Sequence, residues 1–181
     1  VIDCNDWQSA ATVIYLKTLY ADKFGFSQIK SVFTIHNIEY QGKFGMDTAA
    51  DLFGFPESAY GAIEFDGCLN LMKGAIQLAD KVVTVSPTYA RELQDPFFAS
   101  GLENIIKANE YKTCGILNGL DLELYDPATD KALFANYSAD DMSGKKVCKR
   151  ELQKMLGLPE REDVPVIAII SRLVSHKGLD L

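Results

Sequence analysis

A chain of 181 residues that is 48% apolar holds enough hydrophobic material for one sizeable domain, or one and a half small ones. Its 25 acidic and 18 basic residues give a formal charge of −7, which argues against a general binder of nucleic acid or of anionic membrane, because such surfaces need a cationic patch to displace counterions. No apolar run approaches the roughly 20 residues that cross a bilayer, no secretory leader is visible, and Cys4, Cys68, Cys114 and Cys148 are too scattered for a zinc site or a disulfide framework. The expectation is a cytoplasmic protein with reduced, packing cysteines. Val1 in place of Met, and a last stretch from Lys177 that reads as the opening of a helix, make both ends look like cuts through structure.

In chain order, a short apolar run at Val1 and Ile2 reads as the first strand, and Asn5-Asp6-Trp7 follows it at a strand-to-helix turn. The plain reading of Asp6 is an N-cap with Trp7 packing behind it; the functional one is a carboxylate facing a sugar. Val13, Leu16, Tyr20 and Phe24 share one face of the helix expected next. Residues 31–35 (SVFTI) form a second continuous apolar run, suited to a strand buried on both faces. At its end stand His36 and Asn37, followed by a glycine-containing loop with Tyr40 and Gln41. His36 is either a core histidine or, with Asn37, Tyr40 and Gln41, part of a set that bonds sugar hydroxyls.

Leu69, Met72, Ile76 and Ala79 share another helical face, and residues 81–85 (KVVTV) form a third strand. Ser86 and Pro87 then supply an N-cap and a first-turn proline. A strand is expected at 113–117, and the stretch 118–141, rich in turn and acidic residues, reads as a connection between two α/β units, with a boundary near Asn118. Beyond it, Cys148, Leu152, Met155 and Leu156 line a helix closed by Gly157, and residues 165–170 (PVIAII) form the strongest strand. Ser171 and Arg172 end that strand, and Lys177-Gly178 opens a helix. Two cations beside a helix N-terminus oppose its dipole unless a phosphate lies between them; the plain reading is a surface pair bonded to a carboxylate elsewhere. The alternation of strands and helices is that of βαβ units with a parallel sheet, an α/β fold. In such sheets ligands bind beyond the carboxyl ends of the strands.

Taken together, the segments 4–7 (CNDW), 32–42 (VFTIHNIEYQG), 70–74 (NLMKG), 79–92 (ADKVVTVSPTYARE), 115–121 (GILNGLD) and 171–180 (SRLVSHKGLD) resemble the glycogen and starch synthase family. The resemblance implies a two-domain GT-B glycosyltransferase with Rossmann-like sheets, of which residues 1–117 would be the later part of the acceptor-side domain. Residues 118–181 would be the crossing and the start of the nucleotide-sugar domain. It implies ADP-glucose as donor, an α-1,4-glucan as acceptor, retention of anomeric configuration, and no metal or other cofactor. By the same resemblance Arg172 and Lys177 contact the diphosphate and His36 lies against the transferred glucose. Asp6 and Trp7 border the sugar and acceptor side, and Asn118 sits in the cleft. A cytoplasmic location in a bacterium, or a plastid in a plant, goes with it. The family's glycine-rich loop and acidic second-domain region are not among these 181 residues, so the chain alone is expected to be inactive.

Two rivals stand beside this reading. One is another retaining glycosyltransferase with a different sugar nucleotide, such as a sucrose- or trehalose-type synthase, which shares the logic of Arg172 and Lys177 but lacks the combined segments around Asp6 and His36. The other is a non-catalytic α-glucan-binding fragment.

Overall fold

A computed structural model describes residues 1–174 and 177–179. The chain divides into two compact units, Val1–Asn118 and Gly119–Leu181. The first contains, in order, β1 (Ile2–Asn5), α1 (Asp6–Lys17), β2 (Ser31–Ile35), β3 (Lys43–Gly45), α2 (Asp47–Asp51), α3 (Tyr60–Ile63), β4 (Glu64–Phe65), β5 (Cys68–Asn70), α4 (Leu71–Leu78), β6 (Lys81–Thr84), α5 (Pro87–Glu92), α6 (Pro96–Ala99), α7 (Glu103–Ala108) and β7 (Thr113–Gly115). The second contains α8 (Ser143–Met155).

The main sheet runs β1-β2-β6-β7 with every pair parallel, in the register Cys4 opposite Phe33 and Phe33 opposite Val82. The sheet is buried on one face, where Phe33, Ile35 and Val82 are fully covered. On the other, Asp3, Asn5, Lys81 and Cys114 are exposed and Val32 and Thr34 half-buried, so the expectation of a strand buried on both faces is corrected. Helices α1 and α4 pack against each other, burying Val13, Ile14, Met72 and Ile76 completely. Each such side chain contributes about 1.5–3 kcal/mol relative to exposure. Gly74 allows the approach: a Cβ there would lie 2.8 Å from Ile63 Cγ2 and 2.9 Å from Ile14 Cδ1.

At the amino end of the sheet, Asp80 ties three elements together. It accepts from Lys17 Nζ at 2.6 Å, from the Ser31 amide at 2.8 Å, and from Lys30 Nζ and the Ser31 hydroxyl. Burial works to raise its pKa, but the hydrogen bonds from Lys17, Ser31 and Lys30 outweigh it and hold the carboxyl well below the usual range. Lys112 is buried beside it, donating to the carbonyls of Gln77 and Ala79 at 2.8 Å each.

Several expectations are corrected. Helix α1 ends at Lys17, so Tyr20 and Phe24 do not extend its buried face, and Phe24 is fully exposed. The Thr18 hydroxyl bonds back to the Ile14 carbonyl at 2.6 Å and its backbone leaves the helical region, which stops the helix. Leu69 lies not on a helix but in β5, the central strand of a small antiparallel sheet ordered β3-β5-β4. Residues 165–170 form no strand: Ile167, Ile169 and Ile170 are largely exposed, and among the described residues of the second unit there is no other strand to complete a ladder. The helix expected at Lys177 runs into Asp180 and Leu181, which with Ser175 and His176 lie outside the described residues. The expectations that hold include β2, the Ser86 cap, whose hydroxyl accepts from the Tyr89 amide at 2.9 Å, and Gly157 in the left-handed region after α8.

Candidate functional site

Because β1 and β2 are neighbours in a parallel ladder, their carboxyl ends lie side by side and the residues leaving them meet. Asp6 is the first residue of α1, directly after β1, with a left-handed φ of 54°. That conformation is uncommon away from glycine, though Asp tolerates it better than most residues, and it turns strand into helix in one step. Asp6 Oδ1 reaches across to the exit of β2, accepting from the His36 amide at 2.8 Å and the Asn37 amide at 3.4 Å. Asn37 Oδ1 accepts from the Glu39 amide at 2.9 Å, and the Tyr89 hydroxyl, arriving from α5, accepts from the Ile38 amide at 3.3 Å. Burial pushes the Tyr89 phenol up; the Ile38 amide pulls the other way, and the charges of Asp6 and Glu92 add to the rise. The phenol is therefore neutral at physiological pH.

The imidazole of His36 is exposed, and its Nε2 lies 2.8 Å from Asn5 Oδ1. The Asn5 nitrogen donates to Asp3 Oδ2 at 3.4 Å, which turns the amide oxygen toward His36. An amide oxygen only accepts, so Nε2 carries the hydrogen and Nδ1 of the neutral ring is left as an acceptor. Trp7 packs behind this corner, tilted against Phe44 at 6.0 Å between centroids and pressed on Gly42, whose φ is 65°. A Cβ on Gly42 would lie 2.6 Å from Trp7 Cε3.

The structure thus brings together Asp6, Trp7, His36 and Asn37, with Tyr40 exposed on the same loop. Gln41 departs from its expected role. It is 3% exposed, its amide nitrogen donates to the Ser100 carbonyl at 3.0 Å, and its oxygen accepts from Asn70 at 2.7 Å, so it holds the loop and faces protein. Asn118 is exposed, the last residue of the first unit. Arg172 and Lys177 belong to the second unit; both are exposed, and neither pairs with a described carboxylate. Sequence reasoning gave no role to Asn5 or Tyr89, although both stand in segments it singled out. Asn5 could have been found as the residue preceding Asp6 on the same strand end, and Tyr89 as the third residue of a helix starting at the tip of β6.

The profile of the starch synthase catalytic domain matches residues 1–108, more than half of the chain. The chain belongs to the starch synthase catalytic-domain family. Glycogen synthases from Clostridium acetobutylicum and Ligilactobacillus salivarius are 44% and 46% identical to it over 183 aligned residues, covering all of this chain and 38% of each relative. The catalytic domain of starch synthase IV from Arabidopsis thaliana, bound to ADP and acarbose, is similar at a TM-score of 0.86 and 37% identity, over 99% of this chain and 37% of that one. This starch synthase family chain therefore spans less than two-fifths of the relatives it matches. Its fold is the α/β, Rossmann-like parallel sheet expected of the two-domain GT-B glycosyltransferases. Among the described residues no helix is long and apolar enough to cross a membrane.

Proposed function

We propose that the protein carrying this chain transfers glucose from ADP-glucose to the non-reducing end of an α-1,4-glucan with retention, acting as a glycogen or starch synthase in the bacterial cytoplasm or a plant plastid. The observation that carries the reading is the corner at the ends of β1 and β2. There an exposed imidazole is held through Nε2 by Asn5, beside a loop whose amides are captured by Asp6 and Tyr89. Such a corner suits a hydroxyl-rich ligand, and the family membership supplies its class. His36 Nδ1 accepts a glucose hydroxyl, the free nitrogen of the Asn37 amide and the Tyr40 hydroxyl offer further bonds, and Asp6 positions both His36 and Asn37. Trp7 borders the sugar side from behind the loop, and Asn118 at the end of the first unit is a further sugar-binding residue.

Arg172 and Lys177 take the diphosphate. Breaking the bond between glucose C1 and the diphosphate oxygen builds negative charge on the leaving group, and fixed cations stabilise that charge more in the transition state than before it. No metal or further cofactor enters the proposal. In the complete enzyme, Arg172→Ala or Lys177→Ala should lower kcat by about 10²–10³-fold, the scale of losing one preorganised electrostatic contact. Maltooligosaccharide affinity measured by calorimetry should stay unchanged. Normal turnover in both variants would remove the pair from the reaction, and wild-type protein that binds maltooligosaccharide but not ADP-glucose would make it a glucan binder only.

A further inference from the structure

Residues 37–42, which carry Asn37 and Tyr40, lead from β2 into β3 with no regular structure of their own. Their position is set from behind by a buried chain of amides. Asn70, the last residue of β5, is fully buried and caps α4: its Oδ1 accepts from the Lys73 amide at 2.9 Å. Its nitrogen donates to Gln41 Oε1 at 2.7 Å, and Gln41 Nε2 donates to the Ser100 carbonyl at 3.0 Å. The main chain joins in, since the carbonyls of Gln41 and Gly42 accept from the amides of Met72 and Leu71 at 3.1 and 3.2 Å. These are N–H groups of the first turn of α4, which have no partner inside the helix.

The polarity of this relay is fixed at both ends by main-chain groups. Ser100 presents a carbonyl, so Gln41 must turn its nitrogen to it and its oxygen to Asn70. Asn70 must then present its nitrogen, which leaves its oxygen for the Lys73 amide. Turning either amide over sets oxygen against oxygen or nitrogen against nitrogen where water does not reach. We propose that Asn70, acting through Gln41, is a positioning residue that fixes the register of the loop carrying Asn37 and Tyr40 against the sugar. This rests on the function proposed above, where those side chains contact glucose.

The test separates the cap from the relay. Asn70→Ser keeps an oxygen for the Lys73 amide but cannot reach Gln41, and Asn70→Asp keeps the cap while setting an acceptor against Gln41 Oε1. In the complete enzyme both variants should raise amide hydrogen exchange across residues 38–42, and at Leu71 and Met72 whose amides bond to the loop, by about tenfold or more, with the rest of α4 unchanged. They should lower kcat/KM for ADP-glucose about tenfold per folded molecule, measured below each variant's thermal midpoint, which falls because the buried Gln41 oxygen loses its donor. Unchanged exchange in both variants overturns the proposal. So does faster exchange spread evenly over α4 and the sheet, or a mobile loop with wild-type kcat/KM. If the wild-type enzyme transfers no glucose, the functional reading falls, and the exchange measurement alone decides whether the relay fixes the loop.

Discussion

Asp6 offers the sharpest test of how the corner is built, because backbone conformation and hydrogen bonding can be separated by two substitutions. Its carboxylate accepts from two main-chain amides of the adjacent strand end, and its own backbone is left-handed. Asp6→Ala removes the acceptor and places a residue with no compensating side chain at φ 54°, where the left-handed conformation costs about 1–2 kcal/mol. A hydrogen bond to a charged group contributes about 1.5–3 kcal/mol, and the longer bond to Asn37 adds less. The expected loss is about 2–4 kcal/mol. Asp6→Asn keeps an oxygen in place and suits the left-handed backbone, so it should cost about 1 kcal/mol or less. Urea denaturation followed by the fluorescence of Trp7, the single tryptophan and the next residue in the chain, reads both. An Ala variant within about 0.5 kcal/mol of wild type, the range of an ordinary surface substitution, would refute the reasoning. So would an Asn variant as damaged as Ala.

Two further outcomes follow from the same geometry. Gly42→Ala combines a left-handed residue with a Cβ 2.6 Å from the Trp7 ring; the expected cost is about 2–5 kcal/mol, with an altered near-ultraviolet circular dichroism signal from Trp7, and an unchanged spectrum would show that the ring is not confined. Asp80 titrates below its unfolded value, so its stabilisation is complete above about pH 4 and fades as pH falls below that toward the folded pKa. The stability gap between wild type and Asp80→Asn should accordingly narrow on acidification below pH 4, and a gap independent of pH would remove the carboxylate from that role.

What could be read from the sequence follows the physics of each element. β2 was legible because SVFTI is a short run rich in β-branched and aromatic residues bounded by polar ones, although only its Phe33 and Ile35 side is fully buried and Val32 and Thr34 are half-buried on the other. The Ser86-Pro87 start of α5 was legible because cap and proline act locally. The β3-β5-β4 sheet was not, since strands of three, three and two residues are too short to show an alternation. The end of α1 depends on a side chain bonding back to the main chain at Thr18 while an apolar pattern continues past it. At 165–170 the apolar pattern is as strong as any in the chain, yet a ladder is a property of two strands, and this run has no described partner.

The site divides along the same line. Sequence order put Asp6 after one strand and His36 after another, and the parallel β1-β2 pairing turns that order into a shared corner. Sequence could not say which way a polar side chain faces. Gln41 and Asn37 are both amides on one loop four residues apart; one is buried with its two ends taken by protein, and the other spends its oxygen on the Glu39 amide while its side chain is only half-buried. Asp6 reads as a sugar-facing carboxylate from its motif, while its Oδ1 is spent on two main-chain amides. The main-chain N–H groups of this corner are thus captured from three directions, by Asp6, Asn37 and Tyr89. Because those groups are held before any ligand arrives, binding need not order the loop, and in the function proposed above the contacts with sugar hydroxyls are available to orient the reacting carbon.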